Sequence, residues 1–211
     1  MTAVAWVFAA LFGCAAAANW WSRFAQQRRV ELWSKPLALA ALIGVAATIE
    51  PVDDTVRAWF VLALVLSLAG DVFLLEGDRW FVAGLGSFLL AHVAYTVGFV
   101  VGPDWRWATA SIAVIPVGVL GATLGRRIVS EAAGSSTVLG PAVVAYLLAI
   151  SAMFVAAAAT GNPWAIAGAG LFVVSDTVLG WRQFVEEEGW MGPTVMITYH
   201  LGQAGLVASL L

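Results

Sequence analysis

Residues 56–75 read Val-Arg-Ala-Trp-Phe-Val-Leu-Ala-Leu-Val-Leu-Ser-Leu-Ala-Gly-Asp-Val-Phe-Leu-Leu, an apolar run with Arg57 near its start and Asp71 near its end. An α-helix rising about 1.5 Å per residue crosses roughly 30 Å of hydrocarbon in about 20 residues, the length of this run. Its apolar positions neither alternate nor keep to one stripe, so it is neither a barrel strand nor the surface helix of a soluble protein. The rest of the chain has the same character. Of 211 residues, 62% are hydrophobic and 11% charged, with a mean hydropathy of +0.91. Soluble domains hold about 45–50% apolar and about 25% charged residues, so a soluble globule is excluded. Seven further stretches are comparable, at 3–21, 36–50, 80–101, 108–124, 137–159, 163–181 and 193–211. The chain is therefore predicted to be an all-α integral membrane protein, eight transmembrane helices in a single domain spanning 1–211.

The first stretch has no basic leader and no small-residue cleavage site, and Trp20-Trp21 anchors its end at an interface, so it is read as a retained span rather than a secretory signal. A net charge of -3 with scattered basic residues leaves no footprint for nucleic acid. The single cysteine, Cys14, rules out an intramolecular disulfide and a thiolate metal cluster, leaving packing to hold the fold.

Arg23, Arg28, Arg29, Lys35, Arg79, Arg126, Arg127 and Arg182 fall in loops on one side of the predicted bundle, and only Arg57 and Arg106 on the other. Basic loops stay in the cytoplasm, so both termini are expected outside it, in the cell membrane. The run Glu186-Glu187-Glu188 does not alter this, because carboxylates weigh little in orientation. Asp71 and Asp176 share one sequence offset with Pro36 and Pro141. That echo is compatible with two four-helix repeats, which must be parallel because four crossings return the chain to the same side.

Asp71 and Asp176 are the acidic residues that sit clearly within spans, joined there by His92 and His200. An ionisable group in hydrocarbon costs at least ~2.5–3.5 kcal/mol, so such groups face the bundle interior and mark function by default. Counting ~1.5 Å per residue from the basic side places Asp71 ~6 Å deep, Asp176 ~8 Å, His200 ~10 Å and His92 ~18 Å. Lys35 and Pro36 open the second span on that side, with Glu76, Asp78 and Arg79 along its border. Tyr95 lies about one helical turn beyond His92, Tyr199 precedes His200, and Asn19 and Gln203 add neutral hydrogen-bonding groups. A polar pocket opening toward the basic side is expected. The plainer alternative is that the aspartates tie helices together, through hydrogen bonds or a Lys35 ion pair.

Two carboxyl groups at similar depth in a dry bundle cannot both carry charge cheaply, because burial and mutual repulsion each oppose the second ionisation. One proton held between them creates an acid beside an anion, the pairing used where a C–O bond breaks through a cation-like transition state. At this depth the substrate is expected to be a lipid with its reactive bond near the glycerol. No Gly-x-Ser-x-Gly elbow supports a serine hydrolase. A zinc site would draw on His92, His200 and the aspartates, without His-x-x-x-His spacing to support it.

The run Gly70-Asp71-Val-Phe-Leu-Leu, followed by Phe81-Val-Ala-Gly84-Leu-Gly86-Ser-Phe88-Leu-Leu-Ala-His92-Val-Ala-Tyr95, resembles the YhhN-like lysoplasmalogenase family of multi-pass membrane proteins. Lys35-Pro36, Ser175-Asp176-Thr177 and Ile197-Thr198-Tyr199 with Gln203 extend the resemblance over essentially the whole chain. Tyr199-His200 stands where that family carries a Tyr-Tyr pair, which weakens any catalytic role for His200. The resemblance implies eight helices and hydrolysis of the vinyl ether bond of a lysophospholipid substrate, giving a fatty aldehyde and glycerophosphoethanolamine or glycerophosphocholine without a cofactor. Asp71 and Asp176 then become the catalytic candidates. The substrate-binding candidates are Lys35 toward the lipid phosphate, His92 and Tyr95 toward the ether or water, and Tyr199, Asn19, Glu76 and Gln203 around them. Three rivals stand beside this reading: a metal-dependent hydrolase of another lipid, a small proton-coupled transporter using the aspartates as relay groups, and a non-catalytic lipid-binding or scaffolding protein.

Overall fold

The computed structural model describes residues 1–102 and 105–211, leaving the side chain of Asp78 outside the described set. The described residues form eight long helices: α1 (Ala3–Phe24), α2 (Arg28–Thr48), α3 (Asp54–Leu75), α4 (Phe81–Val101), α5 (Trp107–Ser135), α6 (Leu139–Thr160), α7 (Pro163–Phe184) and α8 (Met191–Ala208). The boundaries have local causes. Asp53 caps α3 by accepting from the Thr55 and Val56 amides, and Asn162 caps α7 through Trp164 and Ala165, with Pro163 in the first turn. Gly161, at φ +68°, ends α6 in the left-handed conformation and turns the chain tightly into α7.

All helices except α8 are long and apolar enough to cross a membrane. The more polar α8 has twelve of its 18 residues buried, so its tyrosine, histidine and glutamine meet protein rather than lipid. It lies deepest against α7. A Cβ on Gly168 would come within 2.6 Å of the Leu206 amide nitrogen and 2.8 Å of the Gly202 carbonyl, so the two helices cross backbone to backbone.

Helices α2, α3, α4, α6, α7 and α8 form a closed ring in which each packs on the next and α8 returns to α2. Outside it, α1 packs on α2 and α8, while α5 packs on α6 and leans its last turns on α7. Advancing every label by four carries the pairs α1–α2, α2–α3, α3–α4 and α4–α6 onto α5–α6, α6–α7, α7–α8 and α8–α2. Those four pairs match as parallel four-helix repeats would have them, whereas the contacts α1–α8 and α5–α7 are not repeated in this way. Phe60, Tyr95, Met153, Phe172 and Leu206 fill the centre. Valines, leucines and isoleucines cover the outside, and exposed tryptophans stand near both ends: Trp21, Trp33, Trp80 and Trp190 at the basic end, Trp105, Trp107 and Trp164 at the other.

Three sequence boundaries need correction. Helix α2 begins at Arg28, so Lys35 and Pro36 lie inside it rather than at its head. Its first turns are held by Arg23–Glu31 and Arg28–Glu31 ion pairs, and a hydropathy reading cannot see a charged helical start. Helix α5 runs on to Ser135 through a π-helical turn at Gly121–Gly125, so Arg126 and Arg127 are helical and exposed rather than in a loop. The extra residue of a π-turn rotates the helix beyond it, and Ile128 and Ala132 become buried. The last helix ends at Ala208, short of the predicted 211.

Candidate active site

The C-terminal halves of α3 and α7 bring Asp71 and Asp176 to the basic end of the bundle, where both line one cavity of about 210 Å³. Lys35 from α2, Tyr199 from α8 and Phe88 from α4 complete the inner wall, and Arg23, Glu31 and Arg182 stand toward its mouth. Arg28 donates to the carbonyl of Leu75, the last residue of α3, and so fixes the helix end beside Asp71.

The two carboxyl groups have different company. Asp71 is enclosed, with 1% of its side chain exposed; the Lys35 ammonium lies 3.0 Å from Oδ1, and the Tyr199 hydroxyl donates to Oδ2 at 2.9 Å. Asp176 has no lysine or arginine as ion-pair partner among the described residues. The Tyr146 hydroxyl donates to its Oδ2 at 2.5 Å, and His92 Nε2 stands 3.5 Å from the same oxygen without hydrogen-bond geometry. The His92 ring is fully buried, edge-on to Tyr146 and Phe172, with neither nitrogen bonded. Each aspartate thus meets one side chain from the helix preceding its own, Lys35 or Tyr146, and one from the fourth helix of the opposite half, Tyr199 or His92. The ammonium compensates charge at Asp71, whereas Asp176 meets only a hydroxyl and an imidazole that makes no hydrogen bond.

Lys35, Asp71, Asp176 and Tyr199 come together as candidates on the cavity wall. His92 and Tyr95 do not reach it. His92 stands behind Asp176, and the Tyr95 hydroxyl is spent on Gln203 Oε1 at 2.5 Å, deep in the core. Asn19 is buried away from the cavity, donating to Ser34 Oγ at 3.1 Å, and Glu76 is exposed at the end of α3. The His200 ring accepts from Trp20 Nε1 at 3.0 Å, on the α1 side. Among the described residues no group of three His, Cys, Asp or Glu side chains is placed to hold a metal ion, so the ligand set drawn from His92, His200 and the aspartates does not assemble. Tyr146, Arg23, Glu31 and Arg182 are the neighbours that the sequence reading passed over. A signal for Tyr146 existed: it is one of three tyrosines in the chain and falls inside the predicted span 137–159.

The sequence matches the YhhN family over residues 30–210, a stretch that contains every cavity residue named above except Arg23. The chain belongs to the YhhN family. Among the similar proteins are two curated ones, each named lysoplasmalogenase, from Mycobacterium bovis and Mycobacterium tuberculosis. Each is 35% identical over 157 residues, which is 70% of this chain and 58% of the relative. The chain therefore spans little more than half the length of the curated relatives it matches. No solved structure matches it. Of the residues quoted for the resemblance in this YhhN chain, Lys35, Asp71, Phe81, Phe88, Ser175, Asp176 and Tyr199 border the cavity, Tyr95 and Gln203 bond to one another beneath it, and His92 stands behind Asp176.

Proposed function

We propose that the chain is a membrane lysoplasmalogenase, hydrolysing the vinyl ether bond of a lysophospholipid by acid–base catalysis between Asp176 and Asp71. The observation that carries this reading is the asymmetry of the pair: one carboxyl is bound to an ammonium, the other only to a hydroxyl, and both border one cavity.

Protonated Asp176 gives its proton to the carbon beta to the ether oxygen, and the alkenyl group becomes an oxocarbenium ion. The Asp71 carboxylate, already in place, stabilises that cation and takes a proton from the water that adds, leaving a hemiacetal. On collapse, Asp71 returns its proton to the departing glycerol oxygen while the Asp176 carboxylate takes the hydroxyl proton, which releases the aldehyde and resets both groups. Lys35 is paired with Asp71, and Arg23 and Arg182 at the mouth are paired with Glu31 and Glu187, but a guanidinium keeps N–H donors beyond one carboxylate, so the phosphate falls to these two arginines. Tyr146 holds Asp176 through its hydrogen bond as a positioning residue, with the His92 ring packed behind the pair. By the distribution of basic residues the mouth faces the cytoplasm.

The test is aldehyde release from a defined 1-alkenyl lysophospholipid by purified protein. Removing a positioned acid or base costs about 10²–10⁴-fold in rate, so Asp71→Asn and Asp176→Asn should each lose turnover on that scale. Near-normal turnover in both variants overturns the mechanism, and no aldehyde from the unaltered protein overturns the activity.

A further inference from the structure

We propose that the apolar crevice between α4, α5, α6 and α7 holds the proximal part of the substrate's single aliphatic chain. The crevice is narrow, about 40 Å³, and is walled by Leu85, Ile128, Leu147 and Phe184, with Gly180 beside Ile128. Asp176, Leu74, Phe81, Phe88 and Leu179 border both this crevice and the polar cavity, whereas Asp71, Lys35 and Arg23 border the polar cavity alone. The polar cavity and the oily slot therefore abut, with guanidinium groups at the mouth of the first, the Asp71–Lys35 pair within it and Asp176 on the wall they share.

A lysolipid with an alkenyl chain carries the same sequence of chemistry: charged head, glycerol, ether oxygen, hydrocarbon. Threaded head to mouth, it buries its methylenes against leucine, isoleucine and phenylalanine and out of water. The opposite threading sets hydrocarbon against Arg23, Lys35 and Arg182 and strips their solvation. The assignment rests on the vinyl ether reading and deepens it. The carbon that receives the proton lies on the chain side of the ether oxygen, so it comes to rest beside Asp176, and the glycerol oxygen points back toward Asp71. The outer wall depends on the π-turn in α5, after which Ile128 is buried against the crevice. At about 40 Å³ the crevice takes the first one or two methylenes, and the distal carbons continue into bilayer lipid.

The probe is a non-hydrolysable 1-O-alkyl lysophospholipid with a photoreactive diazirine on an early chain carbon, bound to purified protein in detergent and mapped by mass spectrometry. Adducts are expected on crevice residues of α4, α5, α6 and α7, and excess unlabelled alkyl lysophospholipid should suppress them. Leu147→Trp, which fills the slot, should cut labelling and raise KM by about tenfold, with kcat little changed. Adducts on α1 or α8, labelling that unlabelled lysolipid does not suppress and that therefore reports bulk lipid, or a folded Leu147→Trp protein that labels normally would each overturn the proposal. If that variant fails to fold, the adduct map of the unaltered protein decides alone. Crevice adducts without aldehyde release from the vinyl ether lipid would sink the reaction and leave the chain site standing.

Discussion

Removing the ammonium of Lys35 leaves Asp71 enclosed with only the Tyr199 hydroxyl for company. Breaking a buried ion pair from one side costs about 3–5 kcal/mol, because the remaining charge has lost its compensation. Lys35→Met should therefore lower the detergent-phase unfolding midpoint substantially, and adding Asp71→Asn should recover most of the loss. A double variant no more stable than Lys35→Met alone would contradict the pairing. Tyr146 acts at the other carboxyl. Tyr146→Phe deletes one hydroxyl and its bond to Asp176, a contact worth about 0.5–1.5 kcal/mol while that carboxyl carries its proton. Turnover of the alkenyl lysolipid is expected to fall roughly tenfold while KM holds. A rise in KM with kcat unchanged would instead place Tyr146 in substrate binding only.

The contact between α7 and α8 sets where Asp176 and Tyr199 sit relative to each other, and it depends on Gly168. A methyl there meets backbone atoms of α8, which cannot move aside as a flexible side chain can. Gly168→Ala is expected to destabilise the bundle by about 1–3 kcal/mol, the usual penalty for overpacking. On α1, Gly13 has nothing within 4 Å of an added Cβ, so Gly13→Ala should leave the unfolding midpoint unchanged or slightly raised and serves as the control. Equal effects of the two substitutions in a thermal-shift assay would mean that the crossing is looser than the structure has it. The π-turn of α5 is a second element-level device. Its residues include Gly121 and Gly125, with Thr123 donating to the Val119 carbonyl, and downstream of it the helix leans on α6 and α7.

At the scale of the whole molecule, one end carries the cavity and nearly all the basic residues, while the other carries Asp53, Asn162 and the opposite tryptophans. Basic-side retention predicts that the cavity end is cytoplasmic. In a Cys14→Ala background, an impermeant thiol reagent applied to intact cells should label Val52→Cys, and should label Glu187→Cys only after permeabilisation. The reverse pattern inverts the orientation without disturbing the site. The ring also accounts for the polarity of α8, since a helix enclosed by α1, α2 and α7 can carry Tyr199, His200 and Gln203 without presenting them to hydrocarbon.

Membrane residence, helical class and the two aspartates worth explaining were legible in the amino-acid order, because hydrocarbon imposes run lengths and penalises every intramembrane charge, and both effects are local. Gly70-Asp71, His92 and Tyr95 could likewise be read as a family pattern. The order of residues left open which aspartate differs from the other, since Lys35, Tyr199, Tyr146 and His92 reach them from four other helices. It also placed Lys35 at the head of a span, whereas the ion pairs of Glu31 extend α2 outward and set Lys35 within it. Run length and insertion cost act along the chain and can be counted residue by residue. A carboxyl's partner is chosen by which helix faces come together, and only the packed ring decides that.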